Sequence, residues 1–115
     1  MSVILYGIKN CDTVKKARKW LDTNSVPYTF HDFRDDGINK KLVNNFLKQI
    51  DTETLINKRG TTWRKLSDEE KEIKNKAHAV ELMVEYPTII KRPVLETKNK
   101  ITVGFSEETY KSLKL

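Results

Sequence analysis

Cys11 is the one cysteine among 115 residues, and it stands between a β-rich segment at residues 2–7 and a helical pattern that begins at Asp12. At the start of a helix, free backbone N–H groups and the helix dipole stabilise a thiolate, the nucleophilic form of cysteine. Lys9 and Lys15 flank the thiol and add positive charge. Cys11 is therefore a candidate nucleophile, and an inert buried thiol is the alternative.

No second thiol accompanies Cys11, because Val14 stands where a C-x-x-C motif would have its second cysteine. A resolving thiol must therefore come from another molecule. Neither histidine signals a catalytic base, since His31 falls in a strand pattern and His78 in a helix among lysines. The histidines, cysteine and carboxylates show no zinc-like spacing, so no metal site is predicted.

Three arginines fall in predicted loops: Arg59, Arg64 and Arg92. The guanidinium fork binds carboxylates and oxyanions bidentately, so these side chains are candidates for holding an anionic substrate. The alternative for each is an ordinary surface ion pair. Pro93 follows Arg92 directly before a predicted strand, and it is a candidate for a cis peptide bond.

The elements around Cys11 form a β-α-β pattern. Residues 2–7 predict a strand, 12–24 a helix with Asp12 or Thr13 as its cap, and 28–33 a strand that alternates in polarity. The helix carries its apolar residues at helical spacing: Val14, Ala17, Trp20 and Leu21. A right-handed crossover would make the two strands parallel.

A helical block at about 39–86 follows. It includes an ordered loop at 58–66 and a helix at 75–86, and Glu70 completes a capping box. Polar residues are placed to cap helices in and after the block: Asn39, Asp51, Ser67 and Ser106. A hairpin with its turn at 98–100 and a helix through Leu113 end the chain. This order predicts an α/β chain with one mixed four-stranded sheet.

Length, charge and composition argue against nucleic acid and membranes as partners of this protein. The length fits a single domain over residues 1–115, with a monomer as the default. The net charge is +6, but the lysines are interleaved with acids, so nucleic acid is not the expected partner. No apolar run of 18 residues exists, and the start predicts a strand and no signal peptide, so we expect a cytoplasmic protein without a membrane partner.

Four segments together carry a resemblance to a known family: residues 5–21, 31–37, 58–66 and 89–95. They read LYGIKNCDTVKKARKWL, HDFRDDG, KRGTTWRKL and IIKRPVL. In order and spacing they resemble the arsenate reductase (ArsC)/Spx family, and within it the YffB-like branch. The resemblance implies a thioredoxin-like fold with a helical insertion between the second and third strands.

The resemblance also implies roles for individual residues. Cys11 matches the family's nucleophilic cysteine, Arg59 and Arg92 match oxyanion-binding arginines, and Pro93 matches a cis proline. Arg64 is a further anion-binding candidate. Two other candidates could donate hydrogen bonds to the thiolate: Asn10 and Thr13. The implied activity is a glutathione-dependent thiol–disulfide reductase, with no bound cofactor, glutathione as co-substrate and glutaredoxin as a further partner.

Departures from the family pattern define two alternatives. Gly7 stands where the family's arsenate reductases have a histidine, and residues 103–108 lack their third arginine, which argues against arsenate reduction. Val14 replaces the second cysteine of Spx-like regulators, which argues against their disulfide switch. Arsenate reduction is one alternative, and a Spx-like module that contacts RNA polymerase is the other.

Overall fold

The computed structural model describes residues 3–98 and 100–115. These residues fall into two compact units, which we call the sheet unit (up to Asp36, with Arg92–Leu115) and the helical unit (Gly37–Lys91). The helical unit includes the predicted insertion at about 39–86, and the single-domain organisation stays a prediction. The middle residue of the predicted hairpin turn, Asn99, lies outside the described residues.

The sheet unit contains a mixed four-stranded sheet in the order β2-β1-β3-β4. Its strands are β1 (Ile4–Gly7), β2 (Thr29–Asp32), β3 (Val94–Thr97) and β4 (Lys100–Val103). β1 runs parallel to β2 and antiparallel to β3, and β3 runs antiparallel to β4. The mixed sheet, the parallel β-α-β unit and the hairpin predicted from the sequence are thereby confirmed.

One face of this sheet packs against helices α1 (Asp12–Thr23) and α7 (Glu107–Ser112). Leu5 and Leu95 are opposite each other on β1 and β3, so their side chains share that face. The fully or nearly buried cluster that joins sheet and helices is Val3, Leu5, Ala17, Leu21, Val26, Leu95 and Tyr110. Burying each leucine contributes about 1.5–3 kcal/mol, so this cluster fixes α1 against β1.

α1 ends in a motif that returns the chain into the core. Ser25 adopts a left-handed backbone conformation with φ of 56°. The Ser25 N–H donates to the carbonyl of Asp22, and the Val26 N–H donates to the carbonyl of Leu21. This is the Schellman pattern of helix termination, and the accompanying Val26–Leu21 contact belongs to the core cluster.

The helical unit consists of short helices: α2 (Lys40–Leu47), α3 (Thr52–Leu55), α4 (Thr61–Lys65), α5 (Asp68–Lys71), α6 (Lys76–Glu85) and a 3-10 turn at Pro87–Ile89. The predicted caps are confirmed here. The side chains of Asn39 and Asp51 accept N–H bonds at the starts of α2 and α3, and Ser67 forms the complete capping box. Among the described residues, no helix is long and apolar enough to cross a membrane.

The prediction of a loop over 58–66 was wrong for residues 61–65, which form α4. Threonines are weak helix formers, so the local sequence favours a loop. Packing reverses that preference, because Trp63 is buried and the hydroxyls of Thr62 and Thr88 are hydrogen-bonded at 2.7 Å. One helical turn is thereby held in place by tertiary contacts.

Gly7 is the last residue of β1, and α1 packs closely against it. A Cβ atom added at Gly7 would lie 2.7 Å from Cγ2 of Val14, a fully buried residue of α1. Valine is stiff at χ1 in a helix, so its methyl group cannot turn away. The close packing of helix on strand therefore requires glycine at this position.

We expect Gly7→Ala to lower the free energy of unfolding by about 1–3 kcal/mol, because it overpacks the contact with Val14. Urea denaturation of Gly7→Ala, Val14→Ala and the double variant gives a mutant cycle. The double variant should lose less stability than the sum of the single variants, since the smaller side chain leaves room for the new methyl group. Additive losses would contradict this account of Gly7.

Tyr110 is fully buried, and its hydroxyl has no hydrogen-bond partner among the described residues. Its ring packs edge-on against Trp20 and Phe105. An unpartnered buried hydroxyl costs about 1–3 kcal/mol. We therefore expect Tyr110→Phe to leave the midpoint of thermal unfolding unchanged or to raise it, and a clear fall would show that the hydroxyl has a stabilising partner.

Candidate active site

Three chain segments of the sheet unit meet at one edge of the sheet. The parallel register sets Gly7 opposite Asp32, so β1 and β2 both end at this edge. β3 runs the other way and begins here, since Val94 pairs with Tyr6. The turn that leads to Cys11 and the residues that precede β3 therefore lie side by side.

Cys11 is the N-cap residue of α1, with an extended backbone (φ −101°, ψ 123°), and its side chain is half-buried. Its N–H donates to the carbonyl of Ile8 at 3.2 Å, and its carbonyl accepts from the N–H of Lys15 at 3.0 Å. The prediction of Asp12 or Thr13 as the cap was wrong. Helical backbone already begins at Asp12, and a cap is the extended residue just outside the helix.

Asp32 is a buried carboxylate at the end of β2, with 3% of its surface exposed. Its Oδ2 accepts the backbone N–H of Lys9 at 3.1 Å. Its Oδ1 accepts the N–H groups of Arg34 at 2.7 Å and Asp35 at 3.3 Å. One side chain thus connects the turn before Cys11 with the loop that follows β2.

Burial by itself would raise the pKa of Asp32. The backbone N–H groups of Arg34, Lys9 and Asp35, with the nearby Lys9 charge, outweigh burial and hold the pKa of Asp32 below its ordinary value. The carboxylate is thus negative at neutral pH, with N–H donors on both oxygens. Hydrogen bonds to the charged form have this effect on a carboxyl group.

Lys9 directs its charge at a neighbouring acid. Its Nζ forms an ion pair with Oδ2 of Asp35, and both side chains are largely exposed. The hydrogen bond and the charge of Asp35 raise the pKa of Lys9. Of the two lysines that flank the thiol, Lys9 therefore forms its ion pair with the loop after β2. Lys15 is exposed on the first turns of α1.

The arginines fall into both units. Arg92 is half-buried, it precedes β3 at the edge that carries Cys11, and its bond to the buried Pro93 is cis, as the sequence predicts. Arg59 and Arg64 are exposed residues of the helical unit, Arg59 before α4 and Arg64 in its last turn. Their approach to Cys11 stays a prediction.

Asn10 is exposed in the turn before Cys11, Thr13 is half-buried in the first turn of α1, and their hydrogen bonds to the thiolate stay predictions. His31 packs its ring against Tyr6 at a centroid distance of 5.0 Å. His78 accepts the N–H of Lys74 through Nδ1 in the helical unit. Within residues 3–98 and 100–115, no group of three or more histidine, cysteine or carboxylate side chains could hold a metal ion.

The sequence pattern does not single out Asp32 as a site residue. The one indication in the sequence is that Asp32 is an acidic residue near the end of the alternating segment 28–33. A parallel pairing with the first strand would bring this end of the segment beside the end of β1. A strand's last residue can equally well be a solvated acid, and only the parallel register shows that this one is buried.

The lowered pKa of Asp32 makes stability depend on pH. Since the unfolded carboxyl binds protons more tightly, acid favours the unfolded chain, and the contribution of Asp32 is lost as pH falls through about 4 toward its lower folded value. We expect Asp32→Asn to lose about 1–3 kcal/mol at pH 7. Urea denaturation at several pH values should show that the difference in unfolding free energy between the variant and the unaltered protein becomes smaller as the pH falls below about 5.

Asp22→Asn provides the matched control, because it removes an exposed carboxylate from α1. Its difference from the unaltered protein should stay small at every pH. A difference for Asp32→Asn that does not change between neutral and acid pH would contradict the role of the ionised Asp32.

The model of the ArsC family matches residues 6–113. The solved structure of a protein named YFFB has a TM-score of 0.92 and 43% identity, over 96% of this chain and 97% of that one. An uncharacterized protein of Haemophilus influenzae is 41% identical over 96% of each chain. The global transcriptional regulator Spx of Streptococcus pneumoniae is 23% identical, over 92% of this chain and 80% of that protein.

These likenesses agree with the geometry of the sheet unit. The fold is thioredoxin-like, with a mixed four-stranded sheet and a helical segment inserted between β2 and β3. The matched region includes Cys11, the cis Pro93, the whole helical unit and most of the sheet unit. The chain belongs to the ArsC family.

Proposed function

We propose that this protein is a single-cysteine thiol–disulfide oxidoreductase that uses glutathione as its co-substrate. The observation that carries the proposal is the place of Cys11: it is the half-buried N-cap of α1, at the sheet edge where the cis Pro93 directly precedes β3. A thiol at a helix N-terminus gains from the dipole when it ionises. Membership in the ArsC family supports a redox enzyme.

The reaction balances with one protein thiol, one external disulfide and one molecule of reduced glutathione. The Cys11 thiolate attacks one sulfur of a mixed disulfide between a substrate and glutathione. A bond forms between Cys11 and the glutathione sulfur, and the substrate leaves as a thiolate that takes a proton from water. A second glutathione thiolate attacks the glutathione sulfur of this new disulfide, restores the Cys11 thiolate and releases oxidised glutathione. The two electrons come from glutathione and remain on the reduced substrate thiol.

The arginines are proposed to hold the glutathione carboxylates. Arg92 lies on the edge of Cys11, and Arg59 and Arg64 are the candidates from the helical unit. Arginine suits this task because its fork binds a carboxylate with two parallel hydrogen bonds. Asn10 and Thr13 would donate to the thiolate. Glutaredoxin is the proposed protein partner for regeneration, in a compartment that keeps thiols reduced.

Arsenate reduction is the alternative that the family name favours. The structure gives a physical reason to rank it second. A histidine cannot occupy position 7 in this packing, because even a Cβ there would collide with Val14. Turnover of arsenate with glutathione and glutaredoxin would support this alternative over the thiol reductase.

A regulatory module like Spx is the non-enzymatic alternative, and the similarity to Spx proteins favours it. Spx-like regulators usually carry a second cysteine at the position of Val14. Here that position is fully buried between α1 and β1, so a thiol there would not be accessible without repacking. Retention of RNA polymerase by this protein, with an unreactive Cys11, would support the regulatory alternative.

We expect the folded protein to react with oxidised glutathione at pH 7 about threefold faster than the chain unfolded in urea, because a helix N-terminus assists ionisation of a thiol and the proposed arginines hold the glutathione carboxylates. The unfolded chain is a matched control, since it presents the same single thiol without the site. Intact-mass measurement of the Cys11–glutathione adduct gives both rates. Equal rates, or a slower folded protein, would assign Cys11 a structural role.

Arg92→Ala separates glutathione recognition from general thiol reactivity. The reaction of this variant with oxidised glutathione should be slower, because a carboxylate-binding group is lost. Its reaction with an uncharged disulfide, such as hydroxyethyl disulfide, should match that of the unaltered protein. Equal slowing with both disulfides would mean that Arg92 acts on the fold, and no slowing would remove it from the proposed site.

A further inference from the structure

Asp32 is the one buried charged side chain among the residues that the structure describes. A buried carboxylate is costly unless its oxygens are hydrogen-bonded. Here the donors are three backbone N–H groups from two different loops. The carboxylate therefore fixes backbone in two places. The nearby Lys9 ammonium group pairs with Asp35 and not with Asp32.

The first place is the turn between β1 and α1. Its beginning is fixed by Ile8, which is buried, and its end by Cys11, whose N–H donates to the Ile8 carbonyl. Lys9 and Asn10 form its exposed middle. The bond from the Lys9 N–H to Asp32 attaches this exposed middle to the sheet.

The second place is the loop after β2. Asp32 accepts from Arg34 and Asp35 through Oδ1, and its own N–H donates to Oδ2 of Asp36 at 2.9 Å. The Asp36 N–H returns to the Asp32 carbonyl at 2.7 Å. These hydrogen bonds fix residues 34–36 relative to Asp32. The carboxylate that binds the Lys9 N–H is thereby itself held in place.

We propose that Asp32 is a positioning residue for Cys11: its carboxylate fixes the Ile8–Cys11 turn and thereby keeps the thiol at the N-terminus of α1. This proposal rests on the reactive role of Cys11 proposed above. The reason is geometric, since Cys11 is both the last residue of the turn and the N-cap of the helix. A turn that moves carries the sulfur away from the free N–H groups of the first helical turn.

The test uses two variants that each remove one negative charge from residues 32–36, Asp32 at the end of β2 and Asp36 in the loop after it. In Asp32→Asn, the amide can keep its oxygen toward the N–H groups of Arg34 and Asp35, and its NH₂ group then faces the Lys9 N–H, so that this hydrogen bond is lost. In the opposite orientation the oxygen accepts from Lys9, and the hydrogen bonds from Arg34 and Asp35 are lost. In Asp36→Asn the turn keeps its bond to Asp32, because Asp36 accepts only from the Asp32 backbone in this network. Only the first variant therefore releases the turn before Cys11.

The readout is the pH midpoint of Cys11 alkylation by iodoacetamide, followed by intact mass. We expect Asp32→Asn to raise the midpoint by about half a pH unit, the size of a helix-dipole effect. Loss of a nearby negative charge would by itself lower the midpoint, so charge removal cannot imitate this result. Asp36→Asn should leave the midpoint unchanged or slightly lower.

A second measurement needs no variant, in case Asp32→Asn does not fold. In the unaltered protein, the Lys9 amide hydrogen should exchange about tenfold more slowly than that of its exposed neighbour Asn10, because Asp32 protects it. Exchange of the Lys9 amide at the Asn10 rate would overturn the proposal. So would an unchanged or lowered midpoint in Asp32→Asn, or an equal rise in both variants.

These outcomes are independent of glutathione. If the protein forms no glutathione adduct, the proposed function fails, while amide exchange and alkylation still report whether Asp32 holds the turn. If the glutathione adduct forms quickly but Asp32→Asn and Asp36→Asn have the same midpoint of Cys11 alkylation, the oxidoreductase proposal is supported and the positioning role of Asp32 is contradicted.

Discussion

Gly7 and Asp32 lie opposite each other at the carboxyl ends of two parallel strands, and the site depends on this pairing. On one side, the missing side chain of Gly7 lets Val14 bring α1 directly against β1. On the other side, the Asp32 carboxylate reaches the N–H of Lys9. The start of α1, and with it Cys11, is therefore fixed between a close apolar contact and a charged hydrogen-bond network.

The energetics of Asp32 explain why the network is complete. Taking a carboxylate out of water costs several kcal/mol even after relaxation. Each hydrogen bond to a charged group returns about 1.5–3 kcal/mol, so three of them can offset that cost. If the turn before Cys11 moved away, Oδ2 of the buried Asp32 carboxylate would lose the N–H of Lys9 as its hydrogen-bond donor. The loop after β2 and the turn before Cys11 are thus energetically coupled through one side chain.

Much of the fold follows from local patterns. The spacing of Val14, Ala17 and Leu21 predicts α1, and all three residues are buried. Ser67 and Glu70 predict a capping box that the structure contains. The loop predicted over 58–66 shows the limit of this reasoning, because Trp63 and the Thr62–Thr88 bond form a helical turn that local propensity disfavours. Asp12 and Thr13 were likewise natural caps by residue type, but the helix begins one residue earlier than a cap at Asp12 requires and two residues earlier than a cap at Thr13 requires.

The sequence by itself determined the element order, the reactive residue type and its place between a strand and a helix. These features depend on hydrophobic period and on turn chemistry, which act over a few residues and can be read along the chain. The tertiary structure alone decided that Asp32 is buried under the turn of Cys11, and that Cys11 is itself the N-cap. The burial of Asp32 depends on the register of β1 with β2, residues more than twenty positions apart, and no local pattern fixes which backbone amide a distant carboxylate will meet. The N-cap position depends on where the turn from Ile8 to Cys11 ends, which residue type alone does not determine.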